Sequence, residues 1–300
     1  MTCIRILTCY NDDQYLQPQR FVMKKLLLNY ANHAFRKSQR INSKTGKEIG
    51  NFDRVLSYSP RNIDRGFYQA NRHIFDQEKG NGYWLWKPYF ILRALDKVEA
   101  GDFVFYCDSG SYFIDSIDSI VETCISCNQD ILPFELSFLE KFYTKRDALI
   151  LLDSDQPEYY ETKQRQSGFI MIKKSNLAMD FFRDLYQFCQ DERILTDMEN
   201  RMGFPDYDGF IAHRHDQSVF SLLTKRYHLS AFRDPTQWGN GDIDHYPNSL
   251  YPQVIVHTRA RDISGWKKIV RIMRKINNKI HAQFPSMNLF SMRNSIPTWM

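Results

Sequence analysis

The stretch "FVFYCDSG", Phe103 to Gly110, decides the fold. Four apolar or aromatic residues run unbroken through Cys107 into an acid, a hydroxyl and a glycine. A short apolar run bounded by turn residues reads as a strand buried on both faces. Such a strand needs helices above and below it, and the neighbouring sequence supplies them. Upstream, "KPYFILRALDKV" (87–98) carries helical periodicity, with Pro88 tolerated in the first turn. Downstream, "SIDSIVETCISC" (116–127) has the same period.

Working outward, the pattern repeats. "CIRILTCY" (Cys3 to Tyr10) reads as a first strand followed by the polar turn "NDDQ". "RFVMKKLLLNYANHAF" (20–35) and "RGFYQANRHIFDQ" (65–77) read as helices, and "DRVLSYS" (53–59) as a strand. Later strands are expected in "DILPFEL" (130–136), "SGFIMIKK" (167–174) and "PQVIVHTRARD" (252–262). Later helices are expected in "NLAMDFFRDLYQFCQDE" (176–192) and "HDQSVFSLLTKRY" (215–227). Alternation of this kind argues for an α/β fold, a mostly parallel sheet with helices on both faces. Residues 201–209 and 234–252 read as loops long enough to serve as binding surfaces or lids. No internal repeat or low-complexity linker interrupts the chain.

Bulk composition narrows the function classes. The 300 residues can bury a large core, and 43% hydrophobic with 25% charged residues is ordinary for a globular protein. The net charge of +5 is small and gathers near the C-terminus, unlike a nucleic-acid reader with a basic face. Aromatic residues reach 15%, which builds cores and also lines sites that stack sugars or bases. Cys124 and Cys127 have CxxC spacing, but no second pair or histidine follows at zinc-site spacing. Reduced, packed thiols are expected. The opening "MTCIRILTCY" lacks a cationic leader, and no run reaches the roughly 18 apolar residues of a spanning helix. A cytoplasmic chain in a reducing compartment is expected.

Asp108 carries the chemistry of the opening stretch. Open α/β sheets bind ligands beyond the carboxyl ends of their strands. An acid there can share a divalent cation, Mn²⁺ or Mg²⁺, with a diphosphate. Ser109 adds a hydroxyl, and Gly110 permits close backbone approach. The same tripeptide also suits a plain turn capped by the acid. "GNGYWLWKPYFIL" (80–92) sets Lys87 at a helix start, where an ammonium can meet phosphate, although its aromatics also suit core packing. Asp216 and Gln217 open a helix as paired polar groups that can act catalytically; Asp216 can equally cap that helix. No Walker-type loop supports a phosphoryl- or nucleotidyl-transfer enzyme, and no GxGxxG follows the first strand as a Rossmann dehydrogenase would require.

"GNGYWLWKPYFILRALDKVEAGDFVFYCDSG" (80–110) resembles a family of GT-A fold glycosyltransferases found in capsule, lipopolysaccharide and viral glycan gene sets. That family carries GYGYWxWKP-like and YxD(A/S)G-like blocks. "TKRDAL" (144–149), "QSGFIMIKKS" (166–175) and "RHDQSVFSLL" (214–223) extend the likeness over most of Ser59 to Leu223. The resemblance implies transfer of a sugar, hexosyl or similar, from a nucleoside-diphosphate sugar such as a UDP-sugar. The acceptor would be a hydroxyl on a glycan or lipid-linked glycan. It implies that Thr8, Tyr10 and Asn11 lie near the base, and that Asp108 takes the place of the first acid of a DxD motif. Gly110 stands where the second acid would be. His257, with Gly265 and Lys267 downstream, looks like the late histidine that completes a cation site. Lys87, with Arg259 or Arg261, would help a cation on Asp108 stabilise the leaving diphosphate. A non-catalytic nucleotide- or glycan-binding protein on the same fold is the alternative reading.

Two domains are expected: a GT-A-like unit over 1–262, and a basic helical tail over 263–300. In the tail, "GWKKIVRIMRKINNKIHAQF" (265–284) alternates apolar and basic residues at helical spacing, the pattern of a helix lying on an anionic membrane. A cationic helix packed on the rest of the protein would show the same pattern.

Overall fold

A computed structural model describes residues 23–258. The expected first strand at Cys3–Tyr10, the donor-site residues Thr8, Tyr10, Asn11 and Arg259, and the basic segment 265–284 lie outside these residues. The fold is mixed α/β. Its five-stranded sheet has the order β2-β1-β3-β6-β5, where β1 is Lys25–Tyr30, β2 Arg54–Tyr58, β3 Phe103–Cys107, β5 Ile131–Leu139 and β6 Lys163–Lys173. A separate two-stranded ribbon joins β4 (Ser111–Phe113) to β7 (Ile255–His257). β1 runs parallel to both β2 and β3, whereas β6 is antiparallel to β3 and to β5. Four of the five strands therefore point one way, and β6 alone is reversed.

The opening stretch is buried on both faces. Val104 and Tyr106 join Leu26, Leu28, Ile170 and Ile172 in one core, covered by helices Trp86–Leu95, Asn176–Phe188 and Asp216–Arg226. Phe103, Phe105 and Cys107 join Leu27, Phe169 and Met171 in the other, beside Phe113 and Ile120 of β4 and helix Asp118–Ser126. This alternation is the period of two of a pleated strand.

Two expectations fail. The spacing over 20–35 predicts a helix, but Lys25–Tyr30 is the inner strand β1, followed by a 3-10 turn at His33–Phe35. Leu26, Leu27 and Leu28 are buried in turn against the two cores, so their run has no polar face. A short run apolar all round looks the same in a buried strand and a buried helix. The helix that follows, Arg36–Glu48 ("RKSQRINSKTGKE"), is too polar to show a stripe and is absent from the sequence reading. It docks through Asn42 and Gly46. A Cβ on Gly46 would lie 2.3 Å from Leu27 Cδ2, so glycine lets this helix settle on β1 without displacing the Leu27 side chain. The expected helix over 65–77 is split at Asn71 into Arg65–Ala70 and Arg72–Phe75.

Cys107, Cys124, Cys127 and Cys189 are free thiols, all buried but Cys127. Among the described residues no helix is long and apolar enough to cross a membrane.

Candidate active site at the carboxyl edge of the sheet

From β1 the chain passes to β2 on one side, and from β2 it crosses to β3 on the other. The carboxyl ends of β1 and β3 thus flank a topological switch point, where open sheets part to admit a ligand. Asp108 follows the last residue of β3, and Tyr30 ends β1. Ser109 Oγ donates to the Tyr30 carbonyl at 2.6 Å and ties the two ends together. Its hydroxyl, a predicted donor contact, is thereby engaged in structure.

Beneath this edge lies a buried amide network. Asn29 Nδ2 donates to Asn42 Oδ1 at 2.8 Å, and Asn42 Nδ2 donates to the Ser111 carbonyl at 3.1 Å. Thr258 donates through its backbone N–H and its hydroxyl to the Gly110 carbonyl, at 3.1 and 2.7 Å. The "DSG" turn is therefore held from helix Arg36–Glu48 and from β7.

Asp108 itself is half-buried. Tyr106 Oη donates to Asp108 Oδ1 at 2.6 Å, and the Asp108 N–H donates to the Gly168 carbonyl at 2.8 Å. Burial and the Asp108 carboxylate push the Tyr106 phenol well above its ordinary value, so it stays a donor. The face of the Tyr106 ring meets Lys87 Nζ, 5.0 Å from its centroid.

Lys87 is only 3% exposed. Its Nζ reaches Asp216 Oδ2 at 2.5 Å, Ser167 Oγ at 3.0 Å and the Ser167 carbonyl at 3.1 Å. Ser167 Oγ donates to the same Asp216 oxygen at 2.6 Å. Burial raises the Asp216 pKa, opposed by the Lys87 charge and by the Lys87 and Ser167 hydrogen bonds. Asp108, Tyr106, Lys87 and Asp216 thus form one relay of contacts from the sheet edge inward.

The "GNGYW" block builds the wall beside this relay. Gly80, Asn81, Gly82, Tyr83 and Trp84 all have positive φ, a left-handed turn. A Cβ on Gly80 would meet the Trp84 ring at 2.2 Å, and one on Gly82 would lie 2.9 Å from Phe75 Cα, so both positions require glycine. The turn delivers Trp86 onto Tyr30, with stacked rings 3.7 Å apart, and Trp84 onto the His215 ring. The tryptophans are packing elements here. His215 takes φ 56°, ψ −123°, a strained conformation for a side chain, immediately before Asp216. Gln217 Nε2 donates to Gln164 Oε1 at 2.8 Å.

His257 lies in β7 opposite Ser111, its ring edge-on to Phe169 at 5.2 Å. Among the described residues no group of three His, Cys, Asp or Glu side chains could hold a metal ion. These residues therefore do not build an all-protein cage. One half-exposed carboxylate suits a hard cation that keeps most of its ligands from phosphate and water.

The sequence reading missed Tyr106, Ser167 and Gly168. Inside an apolar run Tyr106 gives no polar signal of its own, yet a tyrosine two residues before a half-buried acid lies on the same strand face. Ser167 and Gly168 sit in a segment that reads as a strand and as a family-like block, with no site role attached to either residue.

No protein-family model and no curated protein matches the chain. Solved structures similar to it include mouse xyloside xylosyltransferase 1 in its apo form, at TM-score 0.42 and 11% identity over 78% of this chain and 97% of that one. Galactosyltransferase LgtC in complex with donor and acceptor sugar analogues gives 0.45 and 12%, over 83% and 95%. A glycosyltransferase involved in glycosylation of the major capsid of PBCV-1 gives 0.34 and 12%, over 83% and 99%. Likeness at this level carries no functional argument, which rests instead on the side chains at the sheet edge.

Proposed function

We propose that the protein is a nucleotide-sugar-dependent glycosyltransferase acting on a glycan hydroxyl. The observation that carries this reading is the half-exposed Asp108 carboxylate at the switch point, backed by the buried Tyr106–Lys87–Asp216 relay. In the reaction the bond from the sugar's anomeric carbon to the diphosphate breaks, and the bonding pair leaves with the nucleoside diphosphate. A new bond forms from that carbon to the acceptor oxygen, whose proton passes to the departing diphosphate or, where Asp216 acts as base, to its carboxylate. Asp108 and His257 would hold a Mn²⁺ or Mg²⁺ ion; such an ion neutralises charge on a departing diphosphate. Lys87 adds positive charge behind Asp108, although its burial against Asp216 makes it a source of field rather than a direct phosphate ligand. Lys87 and Ser167 both bond Asp216 Oδ2, so Oδ1 is the oxygen that a sugar hydroxyl would meet. Gln217 stands one residue further along the same helix start. Thr8, Tyr10, Asn11 and Arg259 complete the donor site in this reading, and segment 265–284 would rest on a membrane that carries a lipid-linked acceptor.

The test is release of free nucleoside diphosphate from nucleotide sugars with Mn²⁺. Asp108→Asn should lower turnover on the order of 10²–10³-fold while leaving thermal stability unchanged. Wild-type turnover in that variant would remove the phosphate anchor, and with it the reading. A wild type that binds nucleotide sugars but releases no diphosphate would favour the non-catalytic alternative.

A further inference from the structure

We propose that a cavity beyond strand β5 holds a neutral sugar residue of the acceptor, so that the acceptor is an oligosaccharide chain rather than a single sugar. The inference rests on the transferase reading above. The cavity has a volume of about 410 Å³ and is lined by Lys141, Arg146, Pro205, Asp206, Tyr207 and Asp208. Small-molecule sites span roughly 300–1,000 Å³. No residue of the Asp108–Asp216 relay lines it, so it is a second site.

Its walls are fixed from behind. The buried Asp147 carboxylate accepts the Arg201 and Met202 N–H groups at 2.6 and 3.0 Å. Asp206 Oδ1 accepts the Arg146 N–H at 2.7 Å and Asn200 Nδ2 at 2.8 Å. Arg146 Nε donates to Asp155 Oδ2 at 3.0 Å, and its guanidinium lies 4.0 Å from the Tyr207 ring centroid. Tyr207 is backed by the Tyr160 ring at 4.2 Å.

The groups left over along this lining define the ligand. The terminal amino groups of Arg146, Asp206 Oδ2 and the exposed Asp208 carboxylate make no hydrogen bond to another described residue. Lys141 Nζ spends one N–H on Glu161 Oε1 at 2.8 Å and has two more. Two cations thus face two carboxylates across one cavity. An anion would be repelled by the acids, and a cation by the ammonium and guanidinium. A neutral polyol satisfies both sets, because each hydroxyl donates and accepts. Pro205 and Tyr207 add apolar surface for the C–H groups of a sugar ring.

Placement assigns the cavity to the acceptor. Lys141 and Arg146 follow β5, an edge strand of the sheet, with β6 between it and the β3 end of the switch point. They stand two and three residues from Tyr143, no more than about 8 and 11 Å along the chain. The Tyr143 carbonyl accepts the Arg214 N–H at 3.0 Å and Ser218 Oγ at 2.8 Å, at the turn that presents Asp216 and Gln217. A chain whose end reacts beside Asp216 therefore extends towards this cavity.

The test measures binding to the full chain by ligand-observed NMR. The probes are maltotriose, cellotriose, chitotriose and mannotriose, their monosaccharides, glucuronic acid and glucose 6-phosphate. Melting temperatures and diphosphate release from UDP- and GDP-hexoses with Mn²⁺ are followed in parallel. At least one trisaccharide should bind about tenfold more tightly than its monosaccharide. Asp208→Ala removes an acceptor that holds nothing else in the fold, and Arg146→Lys keeps the charge but loses the free amino groups. Each should weaken that trisaccharide about tenfold and leave acceptor-free diphosphate release unchanged. Should Arg146→Lys lower the melting temperature, Asp208→Ala decides. A wild type that releases diphosphate but binds no trisaccharide would overturn the cavity assignment alone. So would trisaccharide binding that Asp208→Ala leaves intact, monosaccharides that bind as tightly, or a preference for glucuronic acid or glucose 6-phosphate. A wild type that releases no diphosphate would overturn the transferase reading and the acceptor role with it.

Discussion

Replacing Lys87 with methionine tests the relay at its centre. The ammonium lies 2.5 Å from Asp216, and the two side chains are 3% and 6% exposed. With an effective dielectric of about 20, attraction at that distance is roughly 7 kcal/mol. Desolvation of both ions offsets several kcal/mol of it each. Removing only the lysine abolishes the attraction but leaves the carboxylate buried with one hydroxyl donor, Ser167. Losses for such broken pairs are about 3–5 kcal/mol. The loss should depend on pH in a defined direction. Burial already holds the Asp216 pKa up, and losing the ammonium raises it further. An acid whose folded pKa exceeds its unfolded value binds its proton more readily when folded, so the variant loses stability as pH rises through that window. Urea unfolding at pH 5 and pH 8 should therefore show a larger gap from wild type at pH 8. The double variant Lys87→Met/Asp216→Asn should lose less than the sum of its singles, by about 1–3 kcal/mol. A loss below about 1 kcal/mol for Lys87→Met, equal at both pH values, would refute the buried ion pair.

Three further outcomes are expected. His213 and His215 are buried, and desolvation holds both pKa values below the ordinary 6.5. Each therefore stabilises the fold above pH 6.5, and that contribution fades as acid protonates the unfolded chain, by about 1.4 kcal/mol per pH unit per histidine while the folded rings stay neutral. A melting temperature flat from pH 7 to pH 5 would contradict this. Gly82→Ala forces a Cβ to 2.9 Å from Phe75 Cα at φ 86° and should cost well over 1 kcal/mol, whereas Gly101→Ala, at φ 89° with nothing within 4 Å, should cost about 1 kcal/mol. Equal losses would show that the left-handed turn has slack. Truncation after Asp262 should reduce co-sedimentation with anionic liposomes; equal pelleting of both chains would remove the membrane role.

Part of the site is written in the sequence because it is set by local chemistry. The run from Phe103 to Cys107 can be stable only in a sheet covered on both sides, and its end then has to bring Asp108 to the carboxyl edge. The glycines at 80 and 82 likewise announce a backbone that other residues resist. β1 escaped because three consecutive leucines lack the polar face that distinguishes strand from helix, and helix Arg36–Glu48 escaped because its few buried contacts leave no stripe.

Tertiary structure alone decided which groups meet. Lys87 and Asp216 are 129 residues apart, and Gln166 and Asp234 are 68 apart. No periodicity records such pairings. They arise where β6, reversed against β3, carries Gln166, Ser167 and Gly168 past the end of β3, beneath the start of helix Asp216–Arg226. The start of that helix gives Lys87 its buried carboxylate partner, Asp216, since an ammonium buried against the first core needs opposite charge within reach.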